Sequence, residues 1–341
     1  MNNTFNKKAV EECRNLVDGA NNIVITTHRS PDGDAVGSSL ALFHFLKKSG
    51  KMVELIVPDP YPDFYHWLPG HENVVVFIEN KEKAEALIDE ADLIFSLDYN
   101  VLSRTGAMQQ KLESCGKKFI LIDHHQQPGE YPTVLFSDTS ASSTAEMVYE
   151  LIESMGAKEL IDTAIGACIY TGIMTDSGSF RFPNVSQKTH RIAAELIGVG
   201  VDHSQIHQLV YDNNLVQRLQ LVGYALSEKL VVVDSCKAAY IILSREELAR
   251  FNFQPGDTEG LVNYALSVKG VNMAAFVREG NNIVKFSFRS KGKFDVNAFA
   301  RKYFNGGGHT NAAGGALELP IGEVEKILLD HIHTHCDEMD Y

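Results

Sequence analysis

Four short apolar runs dominate the first half of the chain: "NNIVITTH" (21–28), "MVELIVP" (52–58), "ADLIFSLD" (91–98) and "KKFILIDHH" (117–125). Each reads as a buried strand. Between them, 35–49, 81–90 and 103–115 have helical spacing, and further helices are predicted at 143–155, 159–173 and 187–199. Strands alternating with helices imply a parallel sheet covered on both sides. The mostly polar stretch 203–227 reads as one long helical connector. After it the pattern turns β-rich, with strands at "KLVVVDS", "AAYIILS", "NMAAFVRE" and "NIVKFSFRS" and helices near 256–268, 295–304 and 321–333. The expected architecture is α/β: a parallel-sheet domain over 1–202, a connector over 203–228 and a smaller α/β domain over 229–341.

A chain of 341 residues can bury two cores. No apolar run approaches the roughly 18–20 residues that span a bilayer, and "MNNTFNKKAVEECRN" lacks the apolar segment of a signal peptide. The five cysteines (Cys13, Cys115, Cys168, Cys236 and Cys336) are scattered and odd in number. That predicts a reducing cytoplasm, with neither disulfides nor a thiolate zinc site. A net charge of −13 argues against long nucleic acid as a partner. A small anion remains feasible, because residues 278–302 hold seven basic side chains against two acids.

Acids and histidines gather where the predicted elements end. "THRSPDGDAVGSS" offers His28, Asp32 and Asp34; Asp98 closes the third run; Asp123, His124 and His125 close the fourth; Asp176 follows the 159–173 helix. Taken singly, Asp32 and Asp34 could form a turn, with Asp34 capping the next helix, and the histidines could be packed structure. Taken together they should converge, because ligands of an open parallel sheet sit beyond the carboxyl ends of its strands. Five carboxylates and three histidines in one crevice require cations. Mixed oxygen and imidazole donors without cysteine favour two divalent ions, manganese first, with magnesium or cobalt as substitutes. Such a pair suits in-line displacement at phosphorus. In the second domain "RKYFNGGGHTNAAGGALEL" places Gly306, Gly307 and Gly308 before His309, a candidate phosphate-cradling loop with Arg289 and Lys293 nearby. His331, His333 and His335 are expected to decorate a fraying C-terminus.

The motifs "HRSPDGDAVGS", "SLD" followed by Arg104, "DHH" and "TDSGSF" resemble the DHH phosphoesterase superfamily, and "GGGHTNAAGG" is similar to the signature of its associated C-terminal domain. The resemblance covers nearly the whole chain and is nearest the nanoRNase/pAp phosphatase branch. It implies an active site in the interdomain cleft. One metal would be bound by His28, Asp32 and Asp98, and a second by Asp34, Asp98, His124 and Asp176. Asp98 would bridge them as a catalytic residue, Asp123 would orient a histidine, and His125 would contact the scissile phosphate or help protonate the leaving oxygen. Arg104, Arg289 and His309 would hold substrate phosphates, with Ser290 and the three glycines alongside. The implied substrates are very short oligoribonucleotides, with 3′-phosphoadenosine 5′-phosphate as a further one, and a homodimer is expected. Pyrophosphate or polyphosphate hydrolysis, cleavage of linear dinucleotides and non-catalytic nucleotide sensing are the alternatives.

Overall fold

The four apolar runs form the centre of a six-stranded sheet. The computed structural model describes residues 5–281 and 283–339 and contains two compact units, Met1–Asn213 and Asn214–Tyr341. The sheet of the first unit comprises β1 (Asn22–Thr26), β2 (Met52–Val57), β3 (Val74–Val76), β4 (Leu93–Leu97), β5 (Lys118–Asp123) and β6 (Val134–Ser137). Its order is β3-β2-β1-β4-β5-β6, every pair parallel. The two outer strands were not anticipated, because three or four residues carry too little periodicity to register.

Side chains alternate between two cores. Ile23, Ile25, Phe95 and Ile122 pack beneath the helices Gly33–Lys48, Thr144–Ser154 and Thr163–Asp176. Val24, Ile94 and Phe119 face the opposite core, with Ala84 and Ile88 of the helix Lys81–Glu90 and Leu112 of Gln109–Ser114. The helix Gly33–Lys48 buries residues on every side, which explains its almost unbroken apolar and small-residue composition. The polar N-terminal stretch is also helical from Lys7 to Gly19: Asn6 caps it, and Val10, Cys13 and Val17 form a buried stripe. Residues 1–4 of the stretch read for a signal peptide lie outside the described residues. The predicted helix 103–115 is instead a 3-10 segment, Leu102–Met108, followed by Gln109–Ser114, the break falling at Gly106 with φ +56°.

The predicted single connector is two helices, His203–Tyr211 and Val216–Glu228. Asp212, Asn213 and Asn214 stand at the interruption, where short polar side chains compete for backbone hydrogen bonds. The second unit holds β7 (Leu230–Val233), β8 (Ala238–Leu243), β9 (Met273–Glu279), β10 (Val284–Ser290), β11 (Gly307–His309) and β12 (Ala312–Leu317). They form a mixed sheet ordered β11-β12-β10-β9-β8-β7, parallel only at β8–β9. Phe286 and Phe288 pack one face against the helices Val296–Tyr303 and Ile321–Thr334; Ile241 and Phe276 pack the other against Val216–Glu228 and Leu261–Ser267.

Two sequence expectations are corrected here. Cys236 and Cys336 form a disulfide across 100 residues. Spacing gave no warning, because only the fold brings the turn after β7 against the C-terminal segment. His331 and His335 are also not at a frayed end: His331 stacks on Tyr303 with ring centroids 3.9 Å apart, and the His335 Nε2 lies 2.9 Å from the Tyr303 hydroxyl. Asp340 and Tyr341 lie outside the described residues. Among the described residues no helix is long and apolar enough to cross a membrane.

Candidate metal centre

The strand order reverses between β1 and β4. The chain runs outward through β2 and β3, then returns to start β4 on the other side of β1. In an open parallel sheet that switch opens a crevice beyond the carboxyl ends of the two strands. His28, Asp32 and Asp34 follow β1, Asp98 follows β4, and Asp123, His124 and His125 end β5, so the topology gathers all seven. Asp176 joins them from the last position of the helix Thr163–Asp176.

Asp98 occupies the middle. It adopts φ +63°, a left-handed conformation uncommon outside glycine, asparagine and aspartate. Its Oδ2 lies 3.3 Å from His28 Nε2, while its Oδ1 lies 3.5 Å from His124 Nε2 and accepts from the Thr144 hydroxyl at 3.0 Å. The two oxygens therefore face two different pockets. On one side His28 Nε2 also meets Asp32 Oδ1 at 3.9 Å. On the other, His124 Nε2 meets Asp176 Oδ2 at 3.5 Å and Asp34 Oδ2 at 3.8 Å.

Both rings are oriented from behind. His28 Nδ1 lies 2.9 Å from the Arg29 carbonyl and His124 Nδ1 3.3 Å from the Ala141 carbonyl. A carbonyl only accepts, so each Nδ1 carries a proton and each ring turns its Nε2 toward carboxylate oxygens. Acceptors converging on acceptors need a cation or an extra proton between them. Burial works against charge on these histidines, yet the surrounding carboxylates still push both pKa values up. Donor types, spacing and orientation thus fit divalent cations: His28, Asp32 and Asp98 form one group, Asp34, His124 and Asp176 a second, and Asp98, Asp123 and His125 also lie within ligand spacing of one another.

Asp34 has a further partner that sequence reading missed. Its Oδ2 accepts from the Thr144 N–H at 2.6 Å and its Oδ1 from the Ala145 N–H at 2.9 Å, at the start of the helix Thr144–Ser154. Burial and the charges of Asp98, Asp176 and Asp32 push its pKa well up; the Ala145 amide opposes them. Ser143 caps this helix by accepting from the Glu146 N–H, so the polar run "ASSTAE" was the available signal. The cap expected of Asp34 belongs to Asp32, whose Oδ1 accepts from the Asp34 and Ala35 N–H groups, each at 3.1 Å.

Asp123 is fully buried, and its Oδ1 lies 2.7 Å from His125 Nδ1. Burial first, and then the positive charge of Arg104, hold the His125 pKa well below the usual histidine range. Burial likewise raises Asp123. Arg104 is anchored on the 3-10 segment, where its carbonyl accepts from the Arg29 N–H at 2.8 Å.

In the second unit, "GGGHTNAAGG" is a β-hairpin rather than an open loop. Gly307 pairs with Gly314 and His309 with Ala312. The Gly306 N–H donates to the Ala300 carbonyl at 3.2 Å, and the Gly308 N–H to Asn297 Oδ1 at 2.9 Å. Both of these amides are hydrogen-bonded within the second unit. The glycines are needed for close approach: a Cβ on Gly306 would stand 1.9 Å from the Gly314 carbonyl oxygen. Gly306→Ala is expected to cost about 3 kcal/mol, because backbone must shift; proteolysis of the second unit and thermal unfolding would measure it. Ser290 is buried, donating to the Phe294 carbonyl at 2.7 Å and accepting from Asn311 at 2.9 Å, so it shapes the turn beside the hairpin. Arg289 and His309 are half-buried on β10 and β11.

Residues 22–173 match the DHH family, N-terminal domain, and residues 235–334 match the DHHA1 domain. The chain belongs to the DHH family of phosphoesterases. It is 33% identical to the Bifunctional oligoribonuclease and PAP phosphatase NrnA of Thermus thermophilus, across 98% of this chain and 95% of that protein. The Bacillus subtilis protein of the same name is 30% identical, across 93% and 95%. A crystal structure of an exopolyphosphatase-related protein from Bacteroides fragilis matches with a TM-score of 0.92 and 38% identity, over 98% of each chain.

Proposed function

We propose that the chain is a divalent-metal-dependent phosphodiesterase that releases mononucleotides from very short oligoribonucleotides and also takes 3′-phosphoadenosine 5′-phosphate. The observation that carries this reading is the pair of oriented imidazoles facing carboxylates on either side of Asp98. The two relatives with oligoribonuclease names, aligned over nearly their full lengths, support the substrate class. His28, Asp32 and Asp98 would hold one ion, and Asp34, Asp98, His124 and Asp176 the other, with manganese favoured by the mixed donors. When bound, such ions supply neutralisation of the charge that builds on phosphoryl oxygens.

The chain's own groups do the positioning. The Thr144 and Ala145 amides fix both oxygens of Asp34, and the Thr144 hydroxyl fixes Asp98. Asp123 holds His125 at its Nδ1, setting the ring plane against the scissile phosphate. Arg104, Arg289 and His309 bind the substrate's phosphates. His309→Ala should therefore leave bound manganese unchanged and raise KM roughly ten- to hundredfold, the scale of a lost charge-assisted contact. Metal analysis alongside steady-state kinetics would check both halves.

A second reading, pyrophosphate or polyphosphate hydrolysis, is favoured by the name of the Bacteroides fragilis structure. A turnover panel of dinucleotide, 3′-phosphoadenosine 5′-phosphate, pyrophosphate and polyphosphate, with manganese and with chelator, separates the two. Mononucleotide release from dinucleotide, abolished by chelator and restored by manganese, is expected. Turnover of pyrophosphate without any cleavage of dinucleotide would overturn the first reading.

A further inference from the structure

The basic segment 278–302 supplies Arg289 to the proposed substrate contacts and leaves Arg278 unaccounted for. Arg278 lies next to the end of β9, opposite Lys285 on β10, whereas Arg289 lies opposite Ala274. Four residues of strand separate Lys285 from Arg289, roughly 13 Å at about 3.3 Å per residue. Strand alternation puts Arg278 on the same face as Ala274 and Phe276, which are buried beneath the helices Val216–Glu228 and Leu261–Ser267.

At the Arg278 end that face opens into a groove of about 470 Å³, lined in part by Arg245, Leu248, Asn252, Phe253 and Glu279. The volume falls within the range of small-molecule sites. The Arg278 guanidinium lies over the Phe253 ring, 5.5 Å from its centroid. Among the described residues no carboxylate comes within 4.0 Å of it. Glu279 is turned elsewhere, accepting from the Arg245 backbone N–H at 2.8 Å. Burial lowers the Arg278 pKa from the ordinary arginine value. A partly desolvated guanidinium without a counter-charge is unfavourable, and its planar fork matches phosphate oxygens. Two guanidinium groups against one carboxylate leave the lining net positive, beside the apolar wall of Leu248, Ala249 and Phe253.

We propose that this groove is a second anion site that binds a mononucleotide, its phosphate on Arg278 and Arg245 and its nucleoside along Leu248, Ala249 and Phe253. The choice of a mononucleotide rests on the proposed function, whose product it would be; the anion chemistry stands without it. Occupancy by product, at residues outside the proposed catalytic set, would make the second unit a sensor of mononucleotide level.

The test is calorimetric titration of adenosine 5′-monophosphate, and separately of inorganic phosphate, into the full chain with chelator present. The starting protein is the Arg104→Gln/Arg289→Gln/His309→Ala variant, which removes the three proposed phosphate contacts while the chelator removes metal. One mononucleotide per chain is expected to bind, at least about tenfold more weakly once Arg278→Gln is added, the scale of one lost charge-assisted hydrogen bond. Arg245→Gln, a change at an exposed residue, should weaken binding in the same direction and serves if Arg278→Gln does not fold. Equal binding with and without these changes, or no binding to the starting variant, overturns the proposal. Binding of phosphate but not of mononucleotide overturns the nucleotide assignment. Dinucleotide cleavage by the wild-type protein is scored separately, so failure of the proposed function shows there and not in the titration.

Discussion

Asp98→Asn is expected to leave the chain folded while lowering kcat/KM on a dinucleotide by at least about a thousandfold, as loss of charge stabilisation at a developing phosphoryl transition state requires. The substitution isolates charge from shape. Asparagine tolerates the φ of +63° at this position, and its side chain can still accept from the Thr144 hydroxyl. What disappears is the negative charge whose two oxygens face His28 on one side and His124 on the other. Manganese bound per chain should therefore fall at both positions, where loss of a ligand of one pocket alone would affect one. Circular dichroism establishes the fold and metal analysis the stoichiometry. Full retention of both ions would sink the assignment of Asp98 as the shared ligand, whatever the activity does.

Gly37→Val should destabilise the first unit by about 3 kcal/mol or more, through forced overpacking. Gly37 lies where the helices Gly33–Lys48 and Thr163–Asp176 touch. A Cβ there would stand 2.5 Å from the Cys168 carbonyl oxygen and 2.9 Å from the Gly172 nitrogen, both backbone atoms that cannot rotate away. For a unit of this size that cost corresponds to roughly 6–12 °C in Tm, measurable by thermal unfolding with chelator. The change should also weaken manganese binding, because the first helix carries Asp34 and the second ends at Asp176. Unaltered Tm would show that the helices separate at little cost, and the close seam would then not be what sets the distance between those carboxylates.

The legibility of this protein in its sequence varied with element length. The runs that became β1, β2, β4 and β5 were readable, because five or six mostly apolar residues in a row mark a largely buried strand. The outer strands β3 and β6 were not, being three and four residues long. The hairpin Gly307–Leu317 was hidden for a different reason. Its glycines and alanines have neither β-propensity nor apolar bulk, and they are extended because a helix and a neighbouring strand press on them from both sides. The Cys236–Cys336 pairing was hidden by its 100-residue separation.

The candidate site divides in the same way. Its chemical inventory was legible in "HRSPDGDAVGS", "SLD", "DHH" and "TDSGSF", because so many acids and histidines recurring at the ends of buried elements are costly to gather without cations. Sequence alone therefore determined a parallel α/β domain with a carboxylate and imidazole set at its strand ends, followed by a β-rich domain with a basic segment. Tertiary structure decided which groups meet. It split the Asp98 oxygens between His28 and His124, gave Asp123 to His125, made Asp32 the helix cap and brought the Thr144 and Ala145 amides to Asp34 from 110 residues away. It also folded the glycine-rich stretch into a hairpin whose Gly306 and Gly308 amides are bonded within the unit. The physical reason is range. Residue type and periodicity report on neighbours along the chain, whereas the direction of an oxygen or a nitrogen lone pair is set by whatever packing brings across space.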